Sequence, residues 1–202
     1  MSPFLSWVVI LLLVITSMGI LLVRDWRQLI ILLSTQYIGV FVLSLQHLPL
    51  GMATVKIIAG WMSAAILGMT RSNLEDEEET NILPQGRFFR LIAAGMVGLI
   101  AATGAPIIDP MMADAGVTVS AGSLLLIGMG LLHLGVTDQA MRVTIGLMTV
   151  LAGFEVLYAA VENSIAVAAL LAVINLGLAL VGSYLMIAGN ANEETETGSE
   201  SA

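Results

Sequence analysis

An all-α, polytopic membrane bundle of about seven spans, in a 3+1+3 arrangement, is the architecture expected of this 202-residue chain. Three features lead there. The chain is 58% hydrophobic and 11% charged, with a mean hydropathy of +0.97. Its apolar runs reach the roughly 20 residues that cross a bilayer as a helix. Six of its seven basic residues, Arg24, Arg27, Arg71, Arg87, Arg90 and Arg142, lie between those runs, and the seventh, Lys56, lies inside one. Lipid offers no partner to an unpaired backbone group, so spans of this kind are helical. Too little polar chain is left over for a soluble domain with its own core.

The first span is expected at Phe4–Val23, closed by Arg24-Asp25-Trp26-Arg27. Its start has no positive leader region and no small-x-small cleavage site, so it reads as a retained helix. The second covers Gln28–Leu45 and ends at Gln46-His47-Leu48-Pro49; the third covers Leu50–Met69. Residues 1–70 thus form a first three-helix unit, and 71–87 an acidic linker with Pro84 and Gly86 as breakers. A spacer helix, Phe88–Ala105, and a loop, Pro106–Val119, fill 88–119. A second three-helix unit, 120–189, holds spans at Ser120–Val136, Ala140–Val161 and Ser164–Ala188. Residues 190–202 are expected to be a disordered acidic tail.

All six arginines fall in the first, third and fifth connections. By the positive-inside rule this places the N-terminus outside and the C-terminus in the cytoplasm, in a multi-pass protein of the cell membrane. The two triplets also resemble each other. Met18-Gly19, Asp25-Trp26-Arg27 and Gly39-Val40-Phe41 are echoed by Met129-Gly130, Asp138–Arg142 and Gly153-Phe154-Glu155.

The net charge of −8 comes largely from Glu75–Glu79 and the Glu193–Glu200 tail, which read as solvated segments. No basic face exists for nucleic acid. With no cysteine, disulfides, thiolate-bound zinc and Cys-ligated iron–sulfur clusters are excluded. His47 and His133 are isolated and form no metal set. There is no phosphate-binding glycine loop, no Ser–His–Asp arrangement and no haem-type histidine pair. The chain is expected to carry no catalytic centre, no metal and no cofactor of its own.

Three residues stand out as candidates for proton or ion relay. Lys56 lies about six residues, or roughly 9 Å, below the outer end of the third span. Either it snorkels to the surface or it is a buried, proton-exchanging ammonium. Glu155, the carboxylate well inside an apolar run, is either a structural hydrogen-bonding group or a protonatable relay. Asn175 is a polar partner or water anchor in the seventh span, with interhelical packing as its plainer role. Gln36 and Tyr37 are similar; Glu162 reads as interfacial. Lys56 and Glu155 lie at comparable depth, so packing of the two triplets side by side would let them pair; the alternative is that each finds its partner on a neighbouring subunit.

Gly130-Leu131-Leu132-His133-Leu134, the charged turn Asp138–Arg142 and Val143-Thr144-Ile145-Gly146-Leu147 resemble the K subunit of respiratory complex I and the C subunit of Mrp-type cation/proton antiporters. In that superfamily a glutamate follows the Gly-Leu pair. Here Met148 stands there, and Glu155 is seven residues on. Seven residues fall about 20° short of two turns, so Glu155 faces the same way roughly 10 Å nearer the outer surface. Asn175 stands in the region of the family's second glutamate and cannot carry a proton. The whole layout, with Thr54-Val55-Lys56-Ile57-Ile58 early in the third span, is similar to component E of hydrogenase-4-type complexes. The resemblance implies a small, cofactor-free membrane subunit of a complex-I-like assembly: a group-4 membrane-bound hydrogenase, an NADH-dehydrogenase-like complex or an Mrp-type antiporter. Its partners would be larger antiporter-like subunits in the bilayer, and it would contribute to a lateral proton or sodium path. An independent small transporter and a purely structural scaffold are the other classes the residues allow.

Overall fold

The computed structural model describes residues 3–74, 86–112, 115–162 and 164–200. Among them, seven helices are long and apolar enough to cross a membrane. They are α1 (Pro3–Leu22), α2 (Trp26–Ser44), α3 (Leu50–Ser72), α4 (Arg87–Ile108), α5 (Val117–Gly135), α6 (Ala140–Val161) and α7 (Ile165–Glu200). The chain is a small, all-helical integral membrane protein. The acidic stretch of the expected linker lies outside the described residues, as do the tail side chains from residue 192 on. The backbone of α7 continues helically beyond its apolar part, Ile165–Ala191, to Glu200.

Helix starts follow local chemistry. Asp25 is extended and its carboxylate accepts from the Arg27 amide, capping α2. Pro49, also extended, precedes α3. Gly116 has φ 96°, a left-handed conformation suited to glycine, and turns the chain into α5. That turn starts the fifth span three residues before the expected Ser120. The end of α4 differs too. Pro106 was expected to open a loop, but α4 runs through it to Ile108, and a 3-10 turn, Asp109–Met112, follows. Proline in the last turn removes only one helical hydrogen bond, a small loss beside an apolar segment's need for internal pairing.

Helices α1, α2 and α3 lie side by side in sequence order, as do α5, α6 and α7. Across the two rows α1 meets α5, α2 meets α6 and α3 meets α7, while α4 packs on α5 and the flank of α1. The core sits between the rows, with Leu13, Leu33, Val40, Leu126, Ile145 and Met148 fully enclosed. Glycine brings α5 and α6 close: a Cβ at Gly130 would stand 2.8 Å from the Val150 nitrogen, and one at Gly153 2.8 Å from the Ser123 oxygen. Such close approach substitutes in lipid for the hydrophobic driving force that water supplies to soluble cores. Large apolar side chains cover the outside, most densely on α4, where Phe88, Met96, Leu99, Ile100 and Ile107 are exposed.

The arginines also do structural work at one end of the bundle. Arg142, buried at the start of α6, donates to the carbonyls of Val23 (3.0 Å) and Arg24 (2.9 Å) and to Gln139 Oε1 (2.8 Å). Arg90 of α4 donates to the Leu21 carbonyl at 3.3 Å. Two guanidinium groups thereby satisfy carbonyls at the C-terminal end of α1, which would otherwise lack partners.

Candidate functional site: a polar belt between α2, α3, α6 and α7

Lys56 lies six residues from the first residue of α3, and Glu155 six from the last residue of α6. At 1.5 Å per residue both are about 9 Å below the same end of the bundle. This shared depth brings the two charges together. Lys56 Nζ stands 3.3 Å from Glu155 Oε2, and the side chains are 5% and 3% exposed. The same ammonium donates to the Glu155 backbone carbonyl at 3.4 Å. Lys56 therefore turns inward rather than snorkelling to the surface. In so enclosed a setting each charge needs the other, since an unpaired ion is held at a high desolvation cost.

Tyr37 of α2 lies beneath this pair. Its ring occupies a notch in α3 at Gly60, where a Cβ would collide with the ring carbons. Lys56 and Gly60 are four residues apart and so share a face of α3. The Tyr37 hydroxyl donates to Asn175 Oδ1 of α7 at 2.9 Å and lies within Coulombic reach of Glu155. Beside it, Gln36 Nε2 donates to Thr149 Oγ1 of α6 at 3.3 Å. The Thr149 hydroxyl in turn donates to the Ile145 carbonyl at 2.8 Å. Among the described residues Gln36 Oε1 and Ser63 Oγ are buried without a protein partner; buried polar atoms in that state commonly bind water. The belt thus holds one base, one acid, one phenol, two amides and hydroxyls, contributed by four helices.

The structure brings together Lys56, Glu155 and Asn175, together with Tyr37 and Gln36. Thr149 joins them, and buried Ser63 lies one turn beyond Gly60 on α3; neither was singled out from the sequence. Thr149 in its apolar run carried a weak signal, as a polar residue one helical step from the Met148 position. The notch at Gly60 carried none, because one glycine among 20 cannot announce which ring it receives.

Other expected polar residues lie elsewhere. His133 is buried at the end of α5 beside Gly146, within Coulombic reach of Arg142 and Arg90. His47 meets the Ala115 carbonyl at 2.8 Å and ties the α2–α3 connection to the start of α5. Glu162 is exposed at the end of α6. Among the described residues no group of three or more His, Cys, Asp or Glu side chains could hold a metal ion. Comparison of the chain with protein-family models, curated proteins and solved structures finds no match.

Proposed function

We propose that this chain is a small membrane subunit of a complex-I-like assembly: a group-4 membrane-bound hydrogenase, an NADH-dehydrogenase-like complex or an Mrp-type antiporter. In that role it contributes polar groups to a lateral proton or sodium path between larger antiporter-like subunits. The reading rests on one observation above all, the Lys56–Glu155 pair enclosed between α3 and α6. Ionisable residues inside a membrane are costly and are typically found on ion or proton pathways. The resemblance of the α5–α6 segment and of the early lysine of α3 to the K-subunit superfamily supports the class. Tyr37, Asn175, Gln36 and Thr149 extend the polar line from the pair toward the middle of the bundle. Glu155 and Lys56 are the groups able to change charge; the amides and hydroxyls would orient them and hold water.

The cell membrane is the proposed location, with the N-terminus outside and the arginine-bearing face in the cytoplasm. The test is extraction of the full chain from native membranes in mild detergent. A subunit comes out with larger polytopic proteins, and Glu155→Gln then lowers ion translocation by that complex. Recovery of the chain alone, or as a homo-oligomer that moves ions once reconstituted, would replace this reading with that of an independent transporter.

A further inference from the structure

Helices α5 and α6 begin 114 positions after α1 and α2: Val117 against Pro3, and Ala140 against Trp26. Packing follows the same spacing. Leu13 of α1 fills the space beside Gly39 of α2, and Ile127 of α5 fills the space beside Gly153 of α6. Each member of the second contact stands 114 positions after its counterpart. The contact of Gly19 with Leu32 likewise maps onto that of His133 with Gly146, with the small and large partners exchanged. Spatial pairing of α1 with α5, α2 with α6 and α3 with α7 fits two such units stacked by translation.

Leu33, Gln36 and Tyr37 are buried on α2, while their counterparts Leu147, Val150 and Leu151 lie on the incompletely buried side of α6. Conversely, buried Ile145 and Thr149 of α6 correspond to the exposed Ile31 and half-buried Thr35 of α2. The outward face of α2 is therefore the counterpart of the face that α6 turns to α2. Thr149 bonds the carbonyl four residues back, at 2.8 Å, and receives the Gln36 amide. Thr35 makes the same back-bond to Ile31, at 2.8 Å, on the exposed side of α2. It lies nine residues from either end of α2, at mid-membrane. Trp61 flanks the position, bonding the Ser34 carbonyl at 3.1 Å.

We infer that the two triplets are copies of one unit, and that the outward face of α2 around Thr35 docks a transmembrane helix of a different protein carrying an amide donor at mid-membrane. That helix would continue the α2–α6 interface by one more step, playing toward Thr35 the part Gln36 plays toward Thr149. A second copy of this chain, stacked by the same translation, would offer Val150 there and no donor. The inference names the docking face of the assembly proposed above and rests on that reading.

Photo-crosslinking in native membranes tests it, with benzoylphenylalanine at Ile38 in one full-length chain and at Leu147 in another. The Ile38 probe should join a single membrane protein. The joined peptide, mapped by mass spectrometry, should lie in a transmembrane segment with Asn or Gln within one turn of the attachment point. Thr35→Val should lower the adduct yield about three- to fivefold, the worth of one interhelical hydrogen bond, and Thr35→Ser should restore it. Joining to a second copy, joining to lipid alone, or a yield indifferent to Thr35→Val would overturn the inference. If the Leu147 probe alone captures a protein, docking lies elsewhere and the subunit reading survives. If neither probe does and the chain is extracted alone, both readings fail.

Discussion

Replacing Lys56 and Glu155 singly and together measures what the buried pair contributes. Lys56→Met keeps the length of the stem and removes the charge; Glu155→Gln keeps the shape of the carboxyl and removes its charge. The Nζ–Oε2 separation is 3.3 Å and both side chains are almost fully enclosed, so solvent screens the interaction little. Breaking a buried pair by deleting one partner costs about 3–5 kcal/mol, whereas removing both is often close to neutral. Each single variant should therefore lose about 3–5 kcal/mol of folding stability. The double should lose about 1 kcal/mol or less, where additive losses would reach about 6–10 kcal/mol. The assay is reversible unfolding in lipid-containing micelles or bicelles for all four members of the cycle. Ion translocation by the extracted complex should be measured alongside and should stay impaired in the double variant. Single losses that sum to within about 0.5 kcal/mol of the double would show that the pair carries no coupling energy, refuting this account of the site.

Four further outcomes are expected. Gly60→Ala places a methyl group on the enclosed Tyr37 ring and should cost about 1–3 kcal/mol by overpacking, read as a lower thermal midpoint in detergent; an unchanged midpoint would mean the ring is not held in the notch. Arg142→Met removes three hydrogen bonds from a buried guanidinium and should cost about 2–4 kcal/mol, with Arg142→Lys recovering less than half because an ammonium cannot reproduce the fork; full recovery by lysine would leave charge, not geometry, as the cause. Single cysteines at Ser2, Thr80 and Ser199 should report topology on intact cells: an impermeant thiol reagent should label only the first, and labelling at Thr80 without Ser2 would invert the orientation. Truncation before Asn192 should leave insertion and complex yield unchanged, and loss of complex on truncation would make the tail a docking element.

Much of the architecture was legible because lipid makes it so. A chain that must satisfy its backbone internally and span a fixed thickness shows its helices as apolar runs, and the arginines divide those runs. Two boundaries moved for reasons outside hydropathy: Pro106 lies in a last turn that tolerates it, and Gly116 takes a left-handed conformation. At the site, equal depth was enough to make Lys56 and Glu155 candidate partners, since depth can be counted along each helix. Tyr37–Asn175 and Gln36–Thr149 could not be paired in advance. Their partners stand 138 and 113 positions apart, and which faces meet depends on how the helices are rotated. Small residues such as Gly60 set that rotation through contacts that no local pattern announces.

Stability alone does not account for the Lys56–Glu155 pair. The helices are already held by close glycine contacts and by the arginine caps on α1, neither of which requires a charge in the apolar interior. A well-packed apolar replacement for a buried ion pair is often as stable as the pair or more so. A scaffold selected only to hold its helices together would have little reason to keep an acid and a base between α3 and α6. The surrounding chemistry points the same way. Tyr37 comes within Coulombic reach of Glu155 while its hydroxyl reaches a third helix through Asn175, and Gln36 retains an unpartnered carbonyl oxygen beside Thr149. An unsatisfied buried acceptor costs about 1–3 kcal/mol, which a bound water would recover. The belt is compatible with the proposed role in moving charge, and loss of translocation with recovered stability is the informative result for the double variant.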